Sequence, residues 1–265
     1  MLRALTAGGV RPEFVAGSSV GAINAAYFAA DPTPEGVVRL EAIWRAIRGR
    51  DVFPVSAAGV LLRLLARQDH LLTQTALRHL LEGHLPYQRL EEARIPCHVV
   101  ATDLLAGTEV RVATGSVVEA LLAATAIPGV FPPMRVAGRF LVDGGVTSNT
   151  PIAAAVALGA QRVLVLPTGI ACALETPPRG MIAVALHAIG LLIARQLVSD
   201  VERFKDQAEV IVVPPLCPLA VSSYDFSHSG ELIERAAQST AQWLDRRGLQ
   251  DQEIPVALHP HHHRS

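Results

Sequence analysis

The chain has 265 residues, of which 50% are hydrophobic, 18% charged and only 5% aromatic, and its formal net charge is −1. This length suits one large α/β domain, and the apolar content is sufficient for a sizeable core. The near-zero charge gives no electrostatic basis for binding nucleic acid, so we expect no nucleic-acid partner. The three cysteines, Cys97, Cys172 and Cys217, are scattered and odd in number, which argues against a disulfide framework.

Neither a signal peptide nor a transmembrane helix is predicted. Residues 1–9 have no long apolar core of the kind that a secretory signal carries. The most apolar stretch, residues 181–198, is interrupted by His187 and Arg195. Its longest uncharged part is shorter than the about 20 residues that a membrane span needs. We therefore expect a cytoplasmic or peripheral-membrane protein.

Helix and strand patterns alternate along the chain. In chain order, they predict a helix over 2–7, a strand over 13–16, helices over 22–30 and 34–47, strands over 96–101 and 108–113, a helix over 117–126, a strand over 139–142, a helix after Thr150, a strand over 162–166, a helix over 181–206, a strand over 209–213 and a last helix over 229–247. This alternation is typical of an α/β fold, and we predict a three-layer α/β/α arrangement around a mostly parallel central sheet.

Residues 1–250 are predicted to form this single domain. Within it, residues 55–95 contain short helical stretches and no strand, which indicates a helical insertion or cap. Residues 251–265 are predicted to be a disordered tail, and the three consecutive histidines at 261–263 have no acidic partner, so we predict no metal site. Because no strand precedes the helix over 2–7, we expect that the chain begins after a missing first strand.

Residues 17–21 read Gly-Ser-Ser-Val-Gly, a G-x-S-x-G pattern between a predicted strand and a predicted helix. A serine at such a turn lies on a sharp elbow that exposes its hydroxyl, so Ser19 is a candidate nucleophile. The flanking Gly17 and Gly21 allow the strand and helix to pass closely. The start of the helix favours developing negative charge, which makes the backbone N–H of Val20 a candidate oxyanion donor.

A serine hydroxyl needs a base to remove its proton, most often a histidine held by a carboxylate. His187 lies mid-helix among apolar residues and His228 precedes the last helix, so packing and capping explain them better than catalysis does. Asp143 follows an apolar strand at the predicted carboxyl edge of the sheet, where α/β sites assemble, and Gly144 allows a tight turn after it. A turn aspartate opening a glycine-rich loop is the alternative explanation.

Several segments together resemble the patatin-like phospholipase family. The segment around Ser19 is similar to that family's nucleophile segment. Residues 124–133, Ala-Thr-Ala-Ile-Pro-Gly-Val-Phe-Pro-Pro, resemble its A-S/T-x-A-I-P-G-x-F-P-P loop, and residues 140–146, Phe-Leu-Val-Asp-Gly-Gly-Val, resemble its D-G-G/A block. Residues 101–103 and 225–227 are similar to segments of bacterial members. These motifs follow the family's order and span nearly the whole chain.

The resemblance implies a Ser–Asp dyad in which Ser19 is the nucleophile and Asp143 is the general base, without a histidine. It implies hydrolysis of lipid acyl esters, such as phospholipids or other glycerolipids, through an acyl-serine intermediate, and no metal or organic cofactor. Val20, Gly17, Gly21 and Gly144 are the candidate oxyanion and substrate-positioning residues. The expected partner is a lipid or ester substrate, with peripheral membrane contact through residues 181–198 or the apolar run at 61–65.

One departure from the family pattern bears on activity. The family's glycine-rich oxyanion loop before the first helix is missing, and Gly8-Gly9 follows the helix instead. Losing one oxyanion donor costs about 10²–10³ in rate, so we expect weaker catalysis. Two alternatives stay open: a Ser-His-Asp hydrolase using Ser19, Asp143 and either His187 or His228, and a catalytically impaired lipid-binding fragment.

Overall fold

The computed structural model describes residues 1–53, 70–169, 171–174, 176–221, 225–246, 248–259 and 261. The chain divides into two compact units, one of Arg11–Pro151 and one of Met1–Val10 with Ile152–Ser265. Part of the predicted helical insertion, including the apolar run at 61–65, lies outside the described residues. Its remainder from residue 70 onward holds one helix and one 3₁₀ turn.

The elements follow one another with helices and strands interspersed. In chain order they are α1 (Leu2–Ala7), β1 (Val15–Ser18), α2 (Val20–Ala30), α3 (Pro34–Ala46), α4 (Gly49–Val52), α5 (Thr75–His84), a 3₁₀ turn (Leu90–Glu92), β2 (Cys97–Asp103), β3 (Thr108–Val112), α6 (Val117–Ala124), β4 (Met134–Val136), β5 (Arg139–Asp143), a 3₁₀ turn (Gly144–Val146), α7 (Ile152–Ala157), β6 (Arg162–Val165), α8 (Met181–Phe204), β7 (Glu209–Val212), a 3₁₀ turn (Phe226–His228), α9 (Ser229–Arg246) and two further 3₁₀ turns (Gly248–Gln250 and Val256–Leu258). The predicted α/β class is confirmed.

Two helices begin directly after a capping residue. The Gly36 amide donates a 3.1 Å hydrogen bond to the Thr33 hydroxyl, and Pro34 occupies the first turn of α3. At α6, the Glu119 amide donates to the Ser116 hydroxyl at 3.3 Å. Each cap satisfies an amide that has no acceptor inside its helix, which is why both helices begin where the sequence predicts.

The sheet of the unit Arg11–Pro151 is mixed, which corrects the prediction of mostly parallel pairing. β1 pairs with β2 in parallel, whereas β3 and β5 pair with β2, and β4 pairs with β5, in antiparallel fashion. For the pairs β2–β3 and β4–β5, the reason lies in the connections. Short turns join β2 to β3 and β4 to β5, and a short turn can join only antiparallel neighbours.

The register brings the ends of β1 and β5 together. β3 pairs with residues 99–103 of β2 and occupies one edge of that strand, so β1 and β5 share the opposite edge. β1 ends with Ser18 beside Val100, and β5 runs the other way and ends with Asp143 beside Ala101. The two strands therefore meet with their carboxyl ends facing each other at the middle of β2.

The core of this unit lies between the sheet and its helices. Small side chains dominate α2, where Ala22, Ala26 and Ala29 are fully buried, so this helix can approach β1 and β2 closely. Larger apolar side chains fill the space beside it. They are Leu77, Leu81, Leu90, Val99, Val117, Leu121, Leu122 and Leu141.

The second unit contains a two-stranded parallel sheet, β6 with β7, and its own core. That core includes Val165, Leu197, Phe204 and Leu258. Leu258 lies within the predicted disordered tail, 251–265, and is buried in a 3₁₀ turn. The apolar contacts of Leu258 oppose the chain entropy that favours a disordered tail.

The helix α8 is the most apolar long element of this unit. Its residues Ala183–Phe204 are long and apolar enough to cross a membrane. The sequence analysis predicted no transmembrane helix here, because it counted only the uncharged part of residues 181–198. The same test is met by core helices of globular domains, so one such helix is weak evidence for a span. Several large apolar residues of α8 are nevertheless exposed, among them Leu192 at 64%.

Candidate active site

Ser19 forms a tight elbow between β1 and α2. Its backbone has φ 51° and ψ −131°, a conformation that non-glycine residues rarely adopt and that occurs where the surrounding structure enforces it. A Cβ added at Gly17 would lie 2.3 Å from the carbonyl oxygen of Gly21, so only glycine allows this approach of strand and helix. A Cβ added at Gly21 would meet no atom within 4 Å. The close packing of β1 against α2 therefore requires a glycine at position 17 but not at position 21.

Asp143 is the direct partner of the Ser19 hydroxyl. Ser19 Oγ donates a 2.7 Å hydrogen bond to Asp143 Oδ2, and the Gly145 amide donates a 2.8 Å bond to Oδ1. The aspartate is only 6% exposed. Burial raises the pKa of Asp143 from its usual 3.8 to about 6, although the hydrogen bonds from Ser19 and Gly145 act to lower it. The carboxylate is thus a stronger base than an exposed one and is still mostly ionised at neutral pH.

Three hydrogen bonds hold the backbone and the loop around Asp143 in place. Its amide donates to the Ala126 carbonyl at 2.9 Å, which ties the proline-rich loop to the end of β5. The Thr102 hydroxyl donates to the Asp143 carbonyl at 3.0 Å and lies 2.8 Å from the Thr147 hydroxyl. Since Thr102 has already given its only hydroxyl hydrogen, Thr147 is the donor of that second bond. Sequence reasoning assigned no role to Thr102 or Thr147; for Thr102 the signal was a polar residue inside an apolar strand, whose hydroxyl must find a partner.

Gly144 allows the ends of β1 and β5 to meet. A Cβ at this position would lie 2.3 Å from the Val100 carbonyl oxygen and 2.4 Å from Ser18 Oγ. Ser18 itself is buried, and its hydroxyl has no hydrogen-bond partner among the residues that the structure describes. Ser18 and Ser19 are therefore adjacent serines in different environments: only Ser19 reaches the carboxylate.

Val20 and Gly21 begin α2 directly after Ser19. The first amides of a helix have no acceptor within it, so the Val20 N–H is available beside the serine. Gly8 and Gly9, which the sequence analysis did not place in the site, follow α1 in the second unit, where the Gly8 amide donates to the Ala4 carbonyl.

The two candidate catalytic histidines, His187 and His228, belong to the second unit, whereas Ser19 and Asp143 belong to the first. His187 is on α8, and His228 has its Nδ1 3.5 Å from a Glu231 carboxylate oxygen. Within residues 11–53 and 70–151, no histidine hydrogen-bonds to Ser19 or Asp143. The serine is instead bonded to the aspartate directly, without an imidazole between them.

The α/β fold, the strand–helix elbow at Ser19 and the Asp-Gly-Gly turn after β5 define a protein of the patatin class. Residues 1–156, more than half of the chain, match the family model described as patatin-like phospholipase, and the chain belongs to this family. Membership supports lipid hydrolysis at the level of the family.

The curated relatives are described as uncharacterized NTE family proteins. One from Mycobacterium bovis and two from strains of Mycobacterium tuberculosis are each 36% identical to this chain over 140 residues. The similarity covers 52% of this chain but only 36% of each relative. The chain thus matches about a third of the length of these relatives.

Proposed function

We propose that this chain hydrolyses carboxylic esters of phospholipids or other glycerolipids, with Ser19 as nucleophile and Asp143 as general base. The observation that carries the proposal is the 2.7 Å hydrogen bond from Ser19 Oγ to Asp143 Oδ2, made to a carboxylate that is almost fully buried. Family membership supports the lipid substrate class.

In this mechanism Ser19 Oγ attacks the ester carbonyl carbon while its proton passes to Asp143 Oδ2. The negative charge that develops on the carbonyl oxygen is stabilised by the Val20 N–H at the start of α2. The tetrahedral intermediate collapses to acyl-Ser19, and Asp143 gives its proton to the departing alcohol. A water molecule then attacks the acyl group, passes a proton to Asp143 and releases the fatty acid, and Ser19 regains its proton.

Labelling with a fluorophosphonate tests the nucleophile, because the reagent reacts only with an activated serine. We expect the purified chain to be labelled at Ser19, as located by mass spectrometry, and Ser19→Ala to remove the label. Ser18→Ala is the matched control: it deletes a buried hydroxyl that has no hydrogen-bond partner in the described part of the chain, so the variant should fold as stably as the parent or better and keep its labelling.

Two outcomes of this experiment would contradict the proposal. Absence of label in a chain shown to be folded would favour the alternative of a catalytically impaired lipid-binding chain. Labelling that persists in Ser19→Ala, or that disappears in a folded Ser18→Ala variant, would place the reactive hydroxyl elsewhere.

Peripheral membrane contact through α8 is a further part of the proposal. Val184, Ile189, Leu191 and Leu192 of this helix are exposed, and a lipid surface would cover them. Burying one such side chain contributes about 1.5–3 kcal/mol, so Leu192→Glu should reduce flotation with phosphatidylcholine–phosphatidylglycerol vesicles at least tenfold. Val38→Glu is the matched control, because Val38 is 57% exposed on α3. Equal losses in both variants, or no flotation of the parent chain, would contradict membrane contact through α8.

A further inference from the structure

Three side chains of the kinds that ligate soft metal ions lie close together in the second unit. Cys172 follows β6, Cys217 follows β7, and His261 lies near the end of the chain. Cys172 and Cys217 are 45 positions apart in sequence, and Cys217 and His261 are 44 apart. The grouping is therefore a product of the fold and not of a local sequence motif.

The separation of the two sulfurs matches that of a tetrahedral metal site, and the Cys217–His261 distance is about 0.4 Å shorter than such a site requires. The two sulfurs lie 3.8 Å apart, Cys217 Sγ lies 3.2 Å from His261 Nε2, and all three atoms lie within 4.8 Å of one another. With Zn–S bonds of about 2.3 Å and Zn–N bonds of about 2.05 Å, tetrahedral geometry separates two sulfurs by about 3.8 Å and sulfur from nitrogen by about 3.6 Å. A disulfide would require a separation of about 2.05 Å.

The imidazole of His261 is oriented as a metal ligand requires. Its Nδ1 lies 2.7 Å from the backbone carbonyl oxygen of His259. Because a carbonyl only accepts, Nδ1 is the donor of this bond, and Nε2 is the ring nitrogen that faces Cys217 Sγ. Metal-binding histidines usually donate their other ring N–H to such an acceptor, which fixes both the tautomer and the ring plane.

The loops that carry the cysteines are held together before any ion binds. The Ala173 amide donates to the Leu219 carbonyl at 3.0 Å, which joins the two loops next to their cysteines. Arg235 donates to the Pro218 carbonyl at 3.0 Å and fixes the second loop to α9. Cys217 also lines a surface cavity of about 530 Å³, which gives an ion access from solvent.

We propose that Cys172, Cys217 and His261 bind one zinc ion. Two thiolates and one imidazole favour zinc over magnesium, calcium or manganese, which prefer oxygen ligands. Binding would release the two thiol protons and leave the fourth position of the tetrahedron to water or another ligand. The ion would link three segments distant in sequence and thereby stabilise the folded unit. The proposal does not depend on ester hydrolysis, because none of these ligands takes part in the Ser19 mechanism.

The test uses the full chain, reduced with a phosphine and incubated with zinc chloride. We expect one equivalent of zinc to remain after desalting, and thermal unfolding to shift upward when zinc is added. Cobalt substituted for zinc should give thiolate-to-metal charge-transfer absorption, which reports cysteine ligation directly. Cys172→Ala, Cys217→Ala and His261→Ala should each weaken zinc binding at least tenfold in a dye-competition assay.

Two matched controls separate this site from adventitious binding. Cys97→Ala, in the other unit, and the double variant His262→Ala/His263→Ala should keep the zinc stoichiometry and the cobalt spectrum. A reduced, folded chain that retains no zinc would overturn the proposal. So would undiminished zinc binding in Cys172→Ala/Cys217→Ala, because the metal would then belong to the histidine run at 261–263.

Discussion

Replacing Asp143 by asparagine is expected to lower ester hydrolysis by at least about 10³-fold, within the range assigned to a general base. An amide cannot take the proton of Ser19, so the nucleophile loses its activation. The two side chains are nearly isosteric, and an asparagine can still donate to Ser19 Oγ and accept from the Gly145 amide. A loss of activity would therefore report the missing base and not a collapsed site.

The same substitution is expected to stabilise the protein at neutral pH. The folded state binds the Asp143 proton more tightly than the unfolded state does, since the pKa is raised from 3.8 to about 6. Stability relative to the asparagine variant therefore falls as the pH rises through this interval and stays lower above it. Urea unfolding should show Asp143→Asn to be more stable by about 1–3 kcal/mol at pH 8, with the difference disappearing below about pH 4.

The pH dependence of the wild-type reaction follows from the same pKa. If Asp143 must be ionised to act as base, kcat/KM should be constant above about pH 7 and fall tenfold per pH unit below about 6. His187→Ala and His228→Ala should retain most of the activity. A large loss in either histidine variant, together with an active Asp143→Asn enzyme, would favour the Ser-His-Asp alternative.

Local sequence signals predicted most of the elements but not how the strands pair. The starts of α3 and α6 and the turn at Ser19 depend on neighbouring residues, and the structure has them where the sequence predicts them. β4 was missed because it has only three residues, Met134–Val136, directly after two prolines. The antiparallel direction of β5 was missed because an apolar strand pattern does not encode the direction or identity of its partner.

The sequence also could not predict the contacts that form only after the strands are paired. Thr102 reaches the Asp143 carbonyl because β2 and β5 are paired in one register, and the facing ends of β1 and β5 follow from that same register. The cluster of Cys172, Cys217 and His261 depends on three loops that no local pattern connects. Such features arise from chain topology, whereas propensities and motifs describe only adjacent residues.

The close approach of β1 and α2 leads to a second large expected effect. In Gly17→Ala, the new methyl group would lie 2.3 Å from the Gly21 oxygen and 2.5 Å from its carbonyl carbon. Both are backbone atoms and cannot rotate away, so the strand and the helix must move apart. We expect a loss of about 3 kcal/mol or more in the free energy of unfolding, at the upper end of overpacking effects.

Gly21→Ala is the matched control, because it adds the same methyl group four residues away within the same motif. A Cβ there meets no atom within 4 Å, and alanine is favoured over glycine in a helix by up to about 1 kcal/mol. Chemical denaturation of the two variants should therefore give shifts of opposite sign. Similar stabilities for both would mean that α2 does not lie this close to β1, and the elbow that presents Ser19 to Asp143 would have to be built differently.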